Sequence, residues 1–270
     1  RIMRSVLMKP EHEPLIPEMH HHVSMWSRRA YAATHDGEAV PGPTRLVGVD
    51  PSLPLRAAVV AARHGLPLAP QTLTNLAACP EPSLPWDQHV RDLLGDLLAA
   101  GPGLPPVWEG LDQVGIIERW LPEWADVRCR PQHNPVHRHT VDRHLLETVA
   151  QATALARDVA RPDLLLLAAL LHDIGKVPTR APKPGGGVTF YQHEIVGARM
   201  VRKRLRALKY SRQMINDISQ LVYLHLRIHG YGDGEWTDSA VRRYVTDAGP
   251  LLERLHRLTR ADCTTRNQRK

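Results

Sequence analysis

Apolar residues recur at three- and four-residue spacings along most of the chain beyond residue 50, and this spacing is typical of amphipathic helices. Thr140, Ser211 and Thr237 stand just before three of these segments and are suitable N-caps. A short stretch, GVTFY at 187–191, is the best candidate for a strand or small hairpin. The pattern therefore predicts an all-α fold, with helices in the second half at 141–160, 162–173, 192–209, 211–229, 237–247 and 250–266.

The chain divides into three parts by the same criterion. Residues 1–49 are rich in Pro, Gly and His and weakly periodic, so we expect an irregular N-terminal segment. Residues 50–130 hold short apolar runs that open at prolines and close at glycines, which predicts a small helical module. Residues 131–270 would form a larger helical domain. Within the module the predicted helices cover 53–65, 69–78, 84–101 and 106–124.

The most apolar segment consists of Leu and Ala from 164 to 171, and it ends in His172, Asp173 and Lys176. Adjacent residues of a regular helix point about 100° apart, so two neighbours can share one metal ion only where the helix ends. We expect Gly175 to relax the backbone just after the pair. The apolar run would then bury its helix in a bundle and bring the polar end to a site between helices.

Further His and Asp residues lie on other predicted helices, and together with the pair they predict a metal site. Each His alone would more often be a satisfied core or surface residue, and a lone Asp262 would be a helix surface residue. Imidazole and carboxylate side chains together suit divalent Mg, Mn, Fe, Co or Zn. The candidate ligands are His144, His172, Asp173, His193, His225 and Asp262.

At these positions the sequence resembles the HD superfamily of metal-dependent phosphohydrolases. That resemblance implies an HD-domain helical bundle in residues 131–270, with His144, His172, Asp173 and Asp262 as the basic ligand set. His193 and His225 match the additional pair of the two-metal members. One or two ions would therefore be bound. With two ions, Asp173 would bridge them.

A closer resemblance divides the chain between two families. Residues of about 50 to 177, including GLDQVGIIERWLPEW and QHNPVHRHTVDRHLLETV, look like an actinobacterial-type PII uridylyltransferase/uridylyl-removing enzyme. That likeness implies removal of a nucleotidyl group from the PII signalling protein of nitrogen regulation. From 178 onward, segments such as LVYLHLRIHGYGDGEWTDSAVRRYV resemble the HD region of bacterial CCA-adding tRNA nucleotidyltransferases. This likeness implies action on tRNA ends or tRNA binding. A third alternative is an inactive HD scaffold.

Charge adds candidate substrate contacts. The 35 Lys and Arg against 28 Asp and Glu give a net charge of +7, which suits a nucleotide phosphate, RNA or an acidic protein. Seven basic residues and no acidic one lie between Ile195 and Asn216, and this face could also be simply solvated. Lys176, close to the pair, is the candidate contact for the scissile phosphate and joins Asp173 as a catalytic residue. Arg180 and Arg199 are further candidate substrate-binding residues.

Other features of the sequence indicate the cellular compartment and the activities that are not expected. Cys79, Cys129 and Cys263 are far apart, which favours a reducing cytoplasm over disulfides. No apolar run reaches the ~18 residues of a membrane span, so no membrane partner is expected. A Gly-rich strand-turn with paired acidic residues, as in nucleotidyltransferase domains, is not found in these 270 residues, so nucleotide addition is not expected. The chain starts at Arg1, which indicates a piece of a longer protein.

Overall fold

The computed structural model describes residues 50–132, 139–157, 159–184, 187–228 and 236–263. Helices dominate these ranges, and the β-structure in them is a single two-stranded hairpin. The all-α prediction is therefore confirmed. The predicted irregular segment 1–49 lies outside the described residues. No helix in the described ranges has the length and apolarity that a membrane crossing needs.

The N-terminal half consists of short helices. The helix that follows Trp86 begins later than predicted, at Gln88, because the Asp87 carboxylate accepts a hydrogen bond from the Val90 N–H and caps it there. Gly115 divides the last predicted helix, 106–124, with a left-handed φ of 76°. The helices are α1 (Leu53–Arg63), α2 (Pro70–Ala77), α3 (Gln88–Leu98), α4 (Leu104–Gln113), α5 (Ile116–Trp120) and α6 (Trp124–Val127).

The C-terminal half supplies the bundle that surrounds the His and Asp residues. Ser211 and Thr237 accept hydrogen bonds from backbone N–H groups as predicted, whereas Thr140 occupies the N-cap position without a side-chain cap bond. A hairpin of β1 (Ala181–Pro182) and β2 (Val188–Thr189) includes the predicted strand. The helices are α7 (Val141–Leu155), α8 (Pro162–Leu171), α9 (His193–Ala207), α10 (Arg212–Leu224), α11 (Asp238–Ala248) and α12 (Leu252–Asp262).

Helix α8 is the centre of the packing. Every residue from Leu164 to Leu171 is buried, as expected for a helix that is apolar on all sides. Burial of each Leu side chain contributes about 1.5–3 kcal/mol. Helices α3, α7, α10 and α12 pack against α8, so the apolar residues of both halves form one continuous cluster. The bidentate pair between Arg204 and Glu123 adds a polar contact between the halves, at 2.8 and 2.9 Å.

The order of the helices brings several helix ends to one place. Helix α8 ends at Leu171, and α7 packs against it with His144 near its own start. Helices α9 and α10 are joined by a short turn and pack together, which places the start of α9 beside the end of α10. The last residue of α12 is Asp262. The polar site therefore lies where a buried apolar helix stops.

Candidate metal centre

All six predicted ligands converge on one point. Asp173 directs its two carboxylate oxygens to opposite sides. Its Oδ2 lies 3.5 Å from His144 Nε2 and 3.4 Å from His172 Nε2. Asp262 approaches the same imidazoles, with Oδ1 at 2.8 Å from His144 Nε2 and 3.5 Å from His172 Nε2. These four residues form a compact group around the end of α8.

The second imidazole pair lies on the other side of Asp173. Its Oδ1 is 3.1 Å from His193 Nε2 and 3.6 Å from His225 Nε2. The ring centroids of His193 and His225 are 5.4 Å apart, although 32 positions separate the two residues in sequence. The turn between α9 and α10 produces this proximity. Asp173 therefore lies between two groups of imidazoles.

Three of the imidazoles are oriented by their own backbone. The Nδ1 atoms of His172, His193 and His225 lie 2.9, 2.8 and 2.6 Å from the carbonyl oxygens three residues earlier. Because a carbonyl oxygen can only accept, each Nδ1 carries a proton and donates it. In the neutral ring, Nε2 is then left as a lone-pair donor that faces the centre. This hydrogen bond from the opposite ring nitrogen is the usual support of a metal-ligating His.

The donor set fits a bound cation. The Nε2 atoms of His193 and His225 are buried and have no hydrogen-bond partner within the described ranges, although Asp173 oxygens are near. A neutral imidazole and a carboxylate oxygen are both acceptors, so this arrangement is favourable only with a proton on Nε2 or with a metal ion between the two groups. Two overlapping groups could hold an ion, with ligand atoms within 4.8 Å of one another: His144, His172 and Asp262, and His172, Asp173 and His225.

Burial and neighbouring charges shift the pKa values of His172 and Asp173 in opposite directions. Burial lowers the pKa of His172, but the negative charges of Asp173 and Asp262 and their hydrogen bonds outweigh it and raise that pKa to about 10. Burial raises the pKa of Asp173, yet Lys176 and His172 hold it well below its usual value. Burial lowers the pKa of His225. The site thus keeps an ionised carboxylate beside a strongly basic imidazole, and a metal ion must displace the proton of that imidazole.

Lys176 belongs to the same centre. Its side chain is buried, with 8% of its surface exposed, and its Nζ lies 2.6 Å from Asp173 Oδ2. The same ammonium donates to the amide oxygen of Gln132 at 2.7 Å and lies 5.8 Å from the centre of the Phe190 ring. The structure therefore places the predicted phosphate contact directly against the carboxylate. Sequence reasoning missed Gln132, which stands in an aperiodic stretch after α6 and shows no pattern that would single it out.

Two of the predicted substrate contacts lie elsewhere. Arg180 and Arg199 are exposed, and neither is among the described residues that touch the His and Asp cluster. Arg199 follows His193 on α9 by six positions, so it projects roughly 120° around the helix from that ligand. The neighbouring Arg204 pairs with Glu123 and has a structural contact. The cluster therefore contains Lys176 but neither arginine.

The helix end has the predicted form, but Gly175 has a different purpose. Helix α8 stops at Leu171, and Asp173 has left helical geometry with φ −106° and ψ 6°. Gly175 does not adopt a left-handed φ. A Cβ at this position would lie 2.1 Å from the carbonyl oxygen of His193 and 2.6 Å from the amide nitrogen of Gly197. The glycine therefore permits the start of α9 to lie directly against the turn after the His-Asp pair.

The amino-acid sequence of the chain is similar to that of one protein family and of several known enzymes. Residues 141–267 match the family model described as HD domain. The chain is 40% identical to the bifunctional uridylyltransferase/uridylyl-removing enzyme of Streptomyces coelicolor, over 84% of this chain and 26% of that protein. The enzyme of the same name from Mycobacterium tuberculosis is 40% identical over 79% of this chain, and that from Corynebacterium glutamicum is 39% identical over 57%.

These matches cover only a piece of each relative. The chain spans about a quarter of the length of the curated relatives, 26% for the Streptomyces and Mycobacterium proteins. An alignment over 84% of 270 residues cannot end at Val177. The likeness to uridylyl-removing enzymes therefore continues into the region for which a tRNA nucleotidyltransferase likeness is predicted. The tRNA likeness remains a prediction.

Proposed function

Because residues 141–267 match the HD domain family model, we propose that this chain is a metal-dependent phosphoric ester hydrolase that removes a nucleotidyl group from a PII-type protein. The observation that carries the proposal is the convergence of four imidazoles on Asp173 at the end of a buried helix, with Asp262 beside His144. The relatives, whose name includes uridylyl removal, support the choice of a nucleotidyl group.

The residues divide into two groups of metal ligands. His144, His172 and Asp262 would hold one divalent ion. His193 and His225, which both approach Asp173 Oδ1, would hold a second, with Asp173 between the two ions. A donor set with four imidazoles favours Mn, Fe, Co or Zn over Mg. When bound, such ions make water nucleophilic at neutral pH and offset negative charge on the phosphoryl oxygens.

The side chains of the chain itself have separate tasks. Asp173 remains ionised because Lys176 and His172 flank it, so both of its oxygens are available as ligands. Lys176 presents a positive charge to the scissile phosphate from a buried position, where water screens it little. The backbone carbonyls before His172, His193 and His225 fix the orientation of the three rings. The apolar residues of α8 exclude water from behind the centre.

The exposed arginines are better placed to contact the surface of the substrate protein than to contact the reacting phosphate. Arg199 lies on a face of α9 with Arg202, Lys203 and Arg206, all exposed. An acidic surface of a partner protein would offset the repulsion among these like charges at three- and four-residue spacing. Arg180 is exposed just before the β1–β2 hairpin. We assign both arginines to the approach of the substrate protein.

The direct test uses a uridylylated PII-type protein as substrate and measures release of UMP by the metal-loaded chain. We expect release by the parent and none by Asp173→Ala. Cleavage of bis-p-nitrophenyl phosphate without UMP release would show a phosphohydrolase with another substrate, and tRNA carrying a 2',3'-cyclic phosphate is then the next substrate to try. Failure on all three substrates would leave the inactive scaffold as the correct alternative.

A further inference from the structure

Gln132 connects two parts of the metal centre that are distant in sequence. Its side chain is buried at 3% exposure. The amide oxygen accepts from Lys176 Nζ at 2.7 Å, and the amide nitrogen donates to the carbonyl oxygen of His139 at 3.1 Å. His139 immediately precedes the N-cap of α7, the helix that carries His144. One amide therefore joins the turn after α8 to the segment that leads into α7.

We propose that Gln132 is a positioning residue that orients the ammonium of Lys176 toward the substrate phosphate, a role that rests on the function proposed above. A lysine ammonium has three N–H donors on a flexible stem. In Lys176 one donor is directed to Asp173 and a second to Gln132. Two fixed partners determine where the third donor points, and the described residues provide no acceptor for it.

The Gln132 amide is neutral, and this neutrality preserves the attraction of Lys176 for a phosphate. A carboxylate at position 132 would also accept from Lys176, but it would add a second negative charge beside that of Asp173 and repel a phosphate. An apolar side chain would leave the ammonium with Asp173 alone and free to rotate about that contact. The amide holds the ammonium without adding a negative charge, and its N–H bond to the carbonyl oxygen of His139 prevents the amide itself from turning.

The experiment is a double-mutant cycle. Gln132→Met keeps the length of the side chain and removes both polar atoms. We expect it to lower kcat for bis-p-nitrophenyl phosphate about 10–100-fold, the usual cost of losing a supporting hydrogen bond at a metal site. Bound metal, measured by inductively coupled plasma spectrometry, should stay at the parental level. In a Lys176→Ala background the same substitution should lower kcat no further, because its effect passes through Lys176.

Gln220→Met is the matched control. Gln220 is half-buried and donates to the carbonyl oxygen of Asp247 at 3.1 Å, so its substitution removes one comparable hydrogen bond outside the cluster. It should leave kcat unchanged. Circular dichroism and thermal unfolding of each variant confirm that folded proteins are compared. Parental kcat in Gln132→Met would overturn the proposal. A multiplied loss in the double variant, or loss of bound metal, would do the same.

A titration with UMP distinguishes failure of the positioning role of Gln132 from failure of the proposed function. If the parent hydrolyses no ester, the proposed function fails, and calorimetric titration of the metal-loaded proteins with UMP still tests Gln132. We then expect Gln132→Met and Lys176→Ala to weaken UMP binding, and the double variant to bind no more weakly than Lys176→Ala. Equal affinity of the parent and Gln132→Met would overturn the positioning role. A parent that binds no UMP would overturn both proposals.

Discussion

Substitution of Gly175 by Ala tests how closely helix packing determines the metal centre. The new Cβ would lie 2.1 Å from the carbonyl oxygen of His193, against an ordinary separation of about 3.5 Å. The backbones of the turn and of α9 would have to separate by roughly 1.4 Å. Neither side is a flexible side chain, so the strain cannot be relieved locally. We expect a destabilisation of about 3 kcal/mol, the upper end for an overpacked site.

The same displacement should affect the metal ligands. Metal–ligand distances tolerate changes of only about 0.2 Å, so a shift of α9 by more than 1 Å would remove His193 from its ion. We therefore expect Gly175→Ala to lose about one bound ion per chain and most of its phosphodiesterase activity. Chemical denaturation measures the stability, and inductively coupled plasma spectrometry measures the bound metal.

Two other glycines serve as controls. A Cβ on Gly103 would lie 1.9 Å from the carbonyl oxygen of Ala62, far from the cluster, so Gly103→Ala should destabilise similarly without loss of metal. Gly95 is inside α3 with nothing within 4 Å of a new Cβ, so Gly95→Ala should stabilise by up to about 1 kcal/mol. Parental stability together with full metal content in Gly175→Ala would refute the packing argument.

Three further predictions concern metal, protons and thiols. His193→Ala and His225→Ala should each reduce bound metal from two ions to one, and a fully loaded parent with one ion would contradict the two-metal arrangement. Since the pKa of His172 is about 10 without metal, ion binding at pH 7 should release its proton, and affinity should rise with pH. Calorimetry in two buffers of different ionisation enthalpy measures this release, and identical heats would count against it. Exposed Cys129 should react with a thiol reagent at pH 8 long before Cys79, whose pKa burial raises to about 11, and equal rates would show that Cys79 is accessible.

The features of the site that follow from helix periodicity could be predicted from the sequence. The Leu and Ala run predicted a buried helix, and its end at Leu171 places His172 and Asp173 side by side. The predicted helices 192–209 and 211–229 are separated by a single residue, so they must form an antiparallel pair that brings His193 near His225, and the rings do lie together. Both results depend only on helix geometry and on the length of one turn.

The features that depend on contacts between distant segments could not be predicted. Gly175 was expected to relax a turn, whereas its actual role is to admit the backbone of α9, which no local pattern encodes. Gln132 lies in an aperiodic segment, and its importance comes from meeting Lys176 across 44 positions. Charge alone suggested Arg180 and Arg199, but a run of basic residues does not tell which of them faces the site.

The dependence of hydrolysis on bound metal tests both the metal centre and the reaction proposed for it. The rate of p-nitrophenol release from bis-p-nitrophenyl phosphate can be measured as the chain is stripped by a chelator and then reloaded with Mn, Co or Zn. We expect the rate to fall to background when the metal is removed and to return in proportion to the ions bound per chain. A parental rate in metal-free protein, or in Asp173→Ala, would contradict it.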